Sequence, residues 1–463
     1  MKIIVLNGSP KGRQSVTMQY VHFIQNMFPH HELKILHIAQ RLKKLEKDEQ
    51  AFQQVIDEIA GADGVLWAFP LYFMLVHGNY KRFIELIWAR SVQNVFLGKY
   101  TAVLSTSIKF YDDSAINYMH GVCDDLDMNY IGDYSAVMND LMQKKEQERL
   151  TLFARNMFET IEQRKPLFKQ YQPILPSHFA YQPGAGPRDI AVGDKKIVVV
   201  ADIDDPRSNL AQMVERFTRS FAGEVNLFSL KSLDIQGGCL GCLQCGENNV
   251  CVWDKKDTFQ QWFRANVMTA DIIVYAGTMR DRYFSARWKT FVDRQFFHGH
   301  APRLMGKHLG FFVSGPLSQN TNFRQILEVT AEMEHANFLG IVTDECSDSA
   351  TLDSMIGRFA EYARWCADTG YVKPTTFRSV GGRKLFRDEL WGHLRLPFPA
   401  DHRFYKHHGF YRDFPQKQYK IRLVNALVSP LLAIPAVRRR FFKKEMVPGM
   451  IRGLQKVVSQ TGR

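Results

Sequence analysis

The chain of 463 residues has no run of 18 or more apolar residues, so no segment reads as a single membrane-spanning helix. A secretory hydrophobic stretch is missing too: Met1-Lys2-Ile3-Ile4-Val5-Leu6 gives way at once to Asn7-Gly8-Ser9-Pro10. Cysteine is scarce, with seven in all, and four of these crowd between 239 and 251, unlike a secreted disulfide framework. Together these absences predict a cytoplasmic protein. No Ser/His/Asp or general-base constellation stands out.

Acidic residues are scarce in one region only. Residues 373–463 hold 5 Asp and Glu against 20 Lys and Arg, whereas residues 1–372 hold 42 against 40. The formal net charge of +13 therefore belongs to the C-terminal stretch. With 45% apolar and 23% charged residues, the composition is that of a folded globular protein, and the length suits two or three domains.

Repetition is what the chain does have. A fixed offset of 208 relates Ala62-Asp63 to Ala270-Asp271, Lys81 to Lys289, Phe83 to Phe291, Gly98-Lys99 to Gly306-Lys307, Asn129 to Asn337 and Gly132 to Gly340. Nearer the start, Ile3-Ile4-Val5 pairs best with Ile197-Val198-Val199, an offset of about 194. The second copy has gained residues in that interval, where the cysteines lie. The pattern reads as a tandem duplication. In the first copy Ile3–Leu6, Val65–Phe69 and Ala102–Ser105 read as buried parallel strands, with Asp48–Ala60 and Tyr80–Ala89 as helices between them. That rhythm predicts an α/β fold of doubly wound parallel sheets with ligands at the carboxyl ends of the strands. The expected domains are 1–163 and 195–372, joined by a stiff linker, 164–194, with prolines at 166, 173, 176, 183 and 187, and followed by an extension, 373–463.

Directly after the first strand comes Gly8-Ser9-Pro10-Lys11-Gly12-Arg13-Gln14-Ser15-Val16-Thr17, opening a helix. Glycine, hydroxyl and basic residues between a strand and a helix suit a phosphate, which backbone N–H groups, the helix N-terminus and Lys would face. The loop fits neither GxxxxGK[ST] nor GxGxxG. After the next strand, Pro70-Leu71-Tyr72-Phe73 is an aromatic turn at a carboxyl end, where a planar ring could stack. The loop, together with the run from Ala62-Asp63 through Pro70–Phe73 to Lys81-Arg82-Phe83-Ile84-Glu85, resembles the flavodoxin-like NAD(P)H-dependent FMN reductase family. The resemblance implies two tandem flavodoxin-like domains over about 350 residues, with FMN as cofactor and NAD(P)H as electron donor. It implies that Ser9, Lys11, Ser15 and Thr17 hold the FMN phosphate and that Pro70, Leu71, Tyr72 and Phe73 line the isoalloxazine. By position, Thr106 and Ser107 begin the third flavin loop.

The second copy carries Cys239, Cys242, Cys245 and Cys251, spaced C-x2-C-x2-C-x5-C. Four soft thiolates so close in sequence can converge on an iron–sulfur cluster or on zinc. The spacing resembles the compact motif of iron–sulfur flavoproteins, which implies a [4Fe-4S] cluster; uncoordinated redox or structural thiols are the other reading. Where a second phosphate loop should lie stands Asp202-Ile203-Asp204-Asp205, whose carboxylates would repel a phosphate. The aromatic turn maps to Thr278-Met279-Arg280-Asp281, which has no flat apolar wall. The expectation is that the first copy binds FMN and the second keeps a cluster, the fused pair standing for a dimer. Association of whole chains into a homodimer is left open.

In the extension, residues 378–420 interleave aromatics with bases, and Leu423–Val437 is almost wholly apolar, broken by Pro430 and Pro435 and followed by Arg438-Arg439-Arg440-Phe441-Phe442-Lys443-Lys444. Such a segment suits the headgroup boundary of an anionic membrane, a peripheral contact at the inner face, or else packs on the body. No nucleic-acid motif is present. The leading expectation is a flavin oxidoreductase moving electrons between a reduced donor, FMN and a cluster, with ferredoxin or a quinone as redox partner. The alternatives are an NAD(P)H:quinone or FMN reductase with structural cysteines, and a non-catalytic electron carrier or membrane-associated adaptor.

Overall fold

The computed structural model describes residues 1–176, 178–186, 189–412 and 418–460. Pro187 of the linker and residues 413–417 of the aromatic-basic stretch lie outside the described residues. The chain forms two compact units, one from Met1 to His402 and one from Arg403 onward.

The first unit begins with strands β1 (Lys2–Asn7), β2 (Glu32–His37), β3 (Gly64–Pro70), β4 (Tyr100–Ser107) and β5 (Asn129–Val137), all parallel in the order β2-β1-β3-β4-β5. Helices α1 (Val16–Met27), α2 (Ile38–Lys47), α3 (Glu49–Ala60), α4 (Gly78–Ala89), α5 (Asp112–Asp125) and α6 (Lys144–Glu162) connect and flank them. Both faces of the sheet are covered, so Ile3, Ile4, Val5 and Leu6 are all fully buried, and β1 reads as a continuous apolar run rather than an alternating one. α3 starts where the Asp48 carboxylate accepts from Ala51 N at 3.0 Å.

The second sheet repeats this topology. Its strands are β7 (Ile197–Ala201), β9 (Asn226–Ser229), β10 (Ile272–Thr278), β11 (His308–Ser314) and β12 (Asn337–Thr343), in the order β9-β7-β10-β11-β12. A two-residue pairing, β6 (Ile190–Ala191) with β8 (Phe221–Ala222), stands apart. The helices are α7 (Asn209–Arg219), α8 (Phe259–Asn266), α9 (Ala286–Arg294), α10 (Thr321–Met333) and α11 (Ser349–Thr369). The register accounts for the two offsets in the sequence. Ile3 lies opposite Gly64 and Ile197 opposite Ile272; Gly64 and Ile272 are 208 apart, so the first strands are related by 194. Both sheets carry a bulge at the same place, between Thr101 and Ala102 and between Leu309 and Gly310. Where the first domain has α2, the second has an irregular loop from Leu230 to Thr258 that bears the four cysteines.

The two α/β domains meet along α4 and α9. Gly78 approaches so closely that a Cβ would stand 2.7 Å from Thr290 Oγ1. The linker runs without helix along the body: Gln170 N and Tyr171 N donate to Asp124, and Tyr181 N donates to Asn209 Oδ1. Past the helix-ending Gly370, with φ +65°, the compact unit continues to His402, beyond the expected start of the extension. It does so because α12 (Phe377–Trp391) packs on α10, with Ser379 Oγ donating to Glu332 O at 3.1 Å and Phe386 stacked on Phe110 at 4.2 Å. After α13 (Pro399–His407) come α14 (Tyr419–Leu432), α15 (Pro435–Arg440), a π-helical turn (Phe441–Glu445) and α16 (Met446–Gln460). Among the described residues no single helix is long and apolar enough to cross a membrane; Tyr419–Leu432 and Pro435–Glu445 meet that measure together but are bent by 112°.

Candidate functional site

β1 ends beneath the start of α1, so residues 8–15 must reverse the chain within a tight loop. Asn7 organises it: its Oδ1 accepts from Ser9 N at 2.9 Å and its Nδ2 donates to Gly12 O at 3.1 Å. Ser9 Oγ accepts from Lys11 N at 3.2 Å. Gly12 has φ +58°, and the Gln40 side chain occupies the place a Cβ would take. Ser15 sits at the N-cap of α1, but its side chain makes no capping bond, so the helix-terminal N–H groups are not satisfied by it. Ser9, Ser15 and Thr17 are buried, Lys11 is exposed, and the hydroxyls of Thr17 and Thr106 meet at 2.7 Å. The last contact ties the loop after β1 to the end of β4. Ser107 follows, its Oγ accepting from Lys109 N at 2.8 Å. Near this third loop the hydroxyls of Ser105, Tyr111 and Ser114 are buried without a hydrogen-bond partner. An uncapped helix terminus, a lysine and the unspent hydroxyls around the end of β4 fit the phosphate and ring of FMN.

The aromatic turn is held by its own backbone. Tyr72 N donates to Leu75 O at 2.8 Å and Leu75 N to Tyr72 O at 3.2 Å, and Phe73 and Met74 take φ of +38° and +63°. Two consecutive residues in that region mark a locally strained turn. Pro70, Leu71, Tyr72, Phe73 and Lys11 line a cavity of about 230 Å³. Its other walls come from the second domain, among them Tyr283, Phe284 and Trp288, and from Cys239, Gly241 and Leu243 of the cysteine loop. The aromatic turn and the cysteine loop thus line one cavity.

Their contact is direct. Gly241 has φ +63°, and a Cβ on it would stand 2.4 Å from Tyr72 Oη and 2.9 Å from Lys11 Cε. His77, fully buried at the start of α4, accepts from Asn79 N through Nδ1 and donates from Nε2 to Cys239 O at 2.7 Å. These two partners define its tautomer, and burial lowers its pKa so that the ring stays neutral. Burial, with Cys239, Asp293 and Cys242 nearby, pushes the Tyr72 hydroxyl well above its usual range.

Cys239, Cys242, Cys245 and Cys251 all line one small pocket of about 20 Å³, walled by Arg294, Phe296 and Phe297. Among the described residues no group of three or more His, Cys, Asp or Glu side chains converges as a ligand set for a metal ion. Burial pushes Cys239 and Cys245 up to about 12, so thiolates at these positions require a compensating cation. Arg294 is fully buried; its terminal nitrogens pair with Asp257 at 2.7 and 2.9 Å, while its Nε has no partner. Arg294 lines the same pocket as the four cysteines, so a buried guanidinium with one spare N–H donor stands beside them.

The equivalent loops of the second domain satisfy themselves. Asp202 is buried and accepts from Ser285 Oγ and Arg287; Asp204 pairs with Arg280 and Arg287. Ser208, unlike Ser15, caps its helix by accepting from Ala211 N. Asp281, where the aromatic turn would be, is buried and accepts from Lys81 Nζ at 2.9 Å and Tyr118 Oη at 3.0 Å. Arg282 reaches Asp125 with two bonds of 2.7 Å and lies where Gly121 has no side chain. Asp281 and Arg282 thus bridge the two α/β domains.

Sequence reasoning passed over several of the residues that matter here. His77, Asp293 and Arg294 carried no assigned role, and Lys289 stood out only as the counterpart of Lys81 at the 208-residue spacing. The segment 373–402 lies over the site: Asp401 accepts from His300 N at 2.8 Å and Asn249 Nδ2 at 3.3 Å, and Gly246 leaves room for Pro397 O. A cleft of about 1070 Å³ opens on the other side, lined by Arg41, Lys43, Arg82, Arg287, Trp88 and Trp253 among others. Cys239 lines the cleft, the cavity and the thiol pocket alike.

Residues 1–141 match the NADPH-dependent FMN reductase family. No curated protein matches the chain. Among solved structures, it is similar to an NADH:FMN oxidoreductase, EMOB, at 17% identity over 35% of this chain and 89% of that one, with a TM-score of 0.30. It is also similar to FerB, an NAD(P)H:acceptor oxidoreductase from Paracoccus denitrificans, at 18% identity over 34% and 97%, with a TM-score of 0.27. General stress protein 14 of Treponema denticola, solved with FMN, matches at 12% identity over 35% and 99%, with a TM-score of 0.26.

Proposed function

We propose that this chain, whose residues 1–141 match the NADPH-dependent FMN reductase family, is a two-centre flavin oxidoreductase. The N-terminal domain would hold one FMN and take electrons from NAD(P)H; the cysteine loop of the second domain would hold a [4Fe-4S] cluster. When bound, FMN supplies hydride acceptance and one-electron transfer, and the cluster supplies a one-electron store. Ser9, Lys11, Ser15 and Thr17 would bind the phosphate, while Pro70–Phe73 with Thr106 and Ser107 would position and shield the ring. Cys239, Cys242, Cys245 and Cys251 would ligate the cluster, with Arg294 donating to it. His77 fixes the Cys239 backbone to α4 and stays neutral, so it neither adds charge nor releases a proton at the junction. The pairing of the two domains would serve as a dimer within one chain, made by duplication. The acceptor would be a quinone or a ferredoxin-like protein, met in the cytoplasm.

The observation that carries this reading is the single cavity lined by both the Pro70–Phe73 turn and Cys239, Gly241 and Leu243. Anaerobic purification followed by visible spectra, FMN release and iron analysis tests it. One FMN and four iron per chain are expected, and Cys245→Ser should lose the iron but keep the flavin. Two FMN per chain, or none, would sink the division of labour.

A second reading has its own support in the absence of a converged ligand set among the described residues. It is a quinone or FMN reductase with structural thiols. NADPH oxidation with quinone and one FMN, but without iron, would select it. No turnover with quinone or ferricyanide would point instead to a carrier or adaptor.

A further inference from the structure

The second compact unit has a composition that water does not favour. α14 and α15 bury no residue, and Leu423, Leu427, Leu431 and Ile434 are between 50 and 65% exposed. From Ala426 to Val437 there is no charged side chain; Lys420 and Arg422 precede this stretch, and Arg438, Arg439, Arg440, Lys443 and Lys444 follow it. The bend of 112° between Tyr419–Leu432 and Pro435–Glu445 falls inside the apolar stretch, next to Pro435. An apolar apex therefore points away from two cationic ends. α16 adds further exposed apolar residues, Met450, Ile451 and Leu454 at helical spacing, with Arg452 between them and Lys456 just beyond. Residues 418–460 carry nine Lys and Arg against one Glu.

We infer that this unit inserts as a re-entrant helical hairpin into one leaflet of an anionic phospholipid bilayer. Length excludes a straight crossing: 14 residues of α14 rise about 21 Å, short of a hydrocarbon core of about 30 Å. Depth without crossing is what the bend permits. Helical backbone on both arms meets its own hydrogen-bond needs, so the apex can enter hydrocarbon. The cations at both ends stop at the headgroups and select anionic lipid, and α16 lies in the interface. The inference goes beyond the redox reading and does not depend on it.

Flotation of the full-length protein with vesicles of phosphatidylglycerol and phosphatidylcholine tests it. The protein should float with these vesicles, remain bound when salt is raised afterwards, and float far less with phosphatidylcholine alone. Leu427→Asp with Leu431→Asp should cut binding by at least about ten-fold, with unchanged far-UV circular dichroism because both positions are exposed. In Leu427→Trp, fluorescence at the new site should be quenched by lipids brominated in the acyl chain. A C-terminal epitope tag should stay open to protease added outside. Full release by salt, protection of the tag inside the vesicles, or no flotation would each overturn the inference. So would a lipid-free oligomer abolished by the Asp pair, since a second copy would then be the occupant.

Discussion

Glu85 and Asp293 exchange helix caps across the interface between the two α/β domains. Glu85 Oε1 accepts from Ala286 N, the first N–H of α9, at 2.7 Å, and Asp293 Oδ2 accepts from Gly78 N, the first of α4, at 2.7 Å. Each carboxylate also pairs with the lysine four residues before it, Lys81 and Lys289, both fully buried. All three pairs of positions are 208 apart. The symmetry is broken by Asp281, which gives Lys81 a second carboxylate that Lys289 lacks. Burial works against both lysines; Asp281 and Glu85 outweigh it for Lys81, whose pKa is raised, whereas that of Lys289 is lowered.

Asp293→Ala should therefore cost more than Glu85→Ala. The first strands a buried lysine, for which about 3–5 kcal/mol is expected; the second removes mainly a helix cap, about 1 kcal/mol. Urea unfolding of the two variants measures the difference, and equal losses would contradict the argument.

Ser15 and Ser208 occupy matching positions with opposite uses. Ser15→Ala loses no capping bond, so stability should hold while FMN affinity falls about ten-fold, the equivalent of one hydrogen bond to an anion. Ser208→Ala should cost about 1 kcal/mol of stability and leave FMN binding unchanged. Quenching of FMN fluorescence on titration, run beside thermal melts, checks both.

Gly241→Ala places a side chain at a positive φ, which costs about 1–2 kcal/mol, and drives it against Tyr72 Oη. The cysteine loop should lift from the first domain, lowering the melting temperature and altering the absorbance of bound flavin. Gly98→Ala, with φ +70° and open space around it, controls for strain alone: its melting temperature should fall with no spectral change.

Acid should destabilise the fold through two histidines. Burial, with Arg303 and Arg264 nearby, holds His298 down to about 3, and burial with Arg383 holds His335 down to about 4. An unfolded histidine titrates near 6.5, so below that pH the unfolded chain takes up protons that the folded chain does not. Stability is full above about pH 6.5 and declines as pH falls toward these values, by up to about 1.4 kcal/mol per unit for each group. His298→Gln should shrink the stability gap between pH 7 and pH 5; an unchanged gap would refute its part in it.

Arg282→Met should be costly, at about 3–5 kcal/mol, because it leaves Asp125 without its two-bond partner in a largely buried setting. Combining it with Asp125→Leu should recover much of the loss. Thermal unfolding of both variants decides the point.

The strands were readable because a parallel sheet covered on both faces demands unbroken apolar runs, as in Ile3–Leu6 and Ile197–Val200. The turn after β1 was readable because glycine and hydroxyl residues suit a tight reversal between a strand and a helix, and Gly12 takes φ +58° there. The covering of the site by residues 373–402 was not. Phe386 and Asp401 are an ordinary aromatic and an ordinary acid until Phe110 and His300 stand beside them. Nor was the fate of Asp202 and Asp204 readable, since the arginines that neutralise them lie more than 70 residues away.

Local chemistry alone thus determined the main elements, the spacing of 208 residues between matching identities, the Gly-Ser-Lys loop after β1 and the run of four cysteines, because each is written within a few consecutive residues or repeats at one spacing. Only the tertiary structure decided that the thiol loop sits on Tyr72 and His77 of the other domain. It also decided that the matching loops of the second domain bind their neighbours, and that the apolar tail segment is bent between its two helices. Those outcomes depend on contacts between distant residues, where burial and close fit choose among partners that the sequence leaves equivalent.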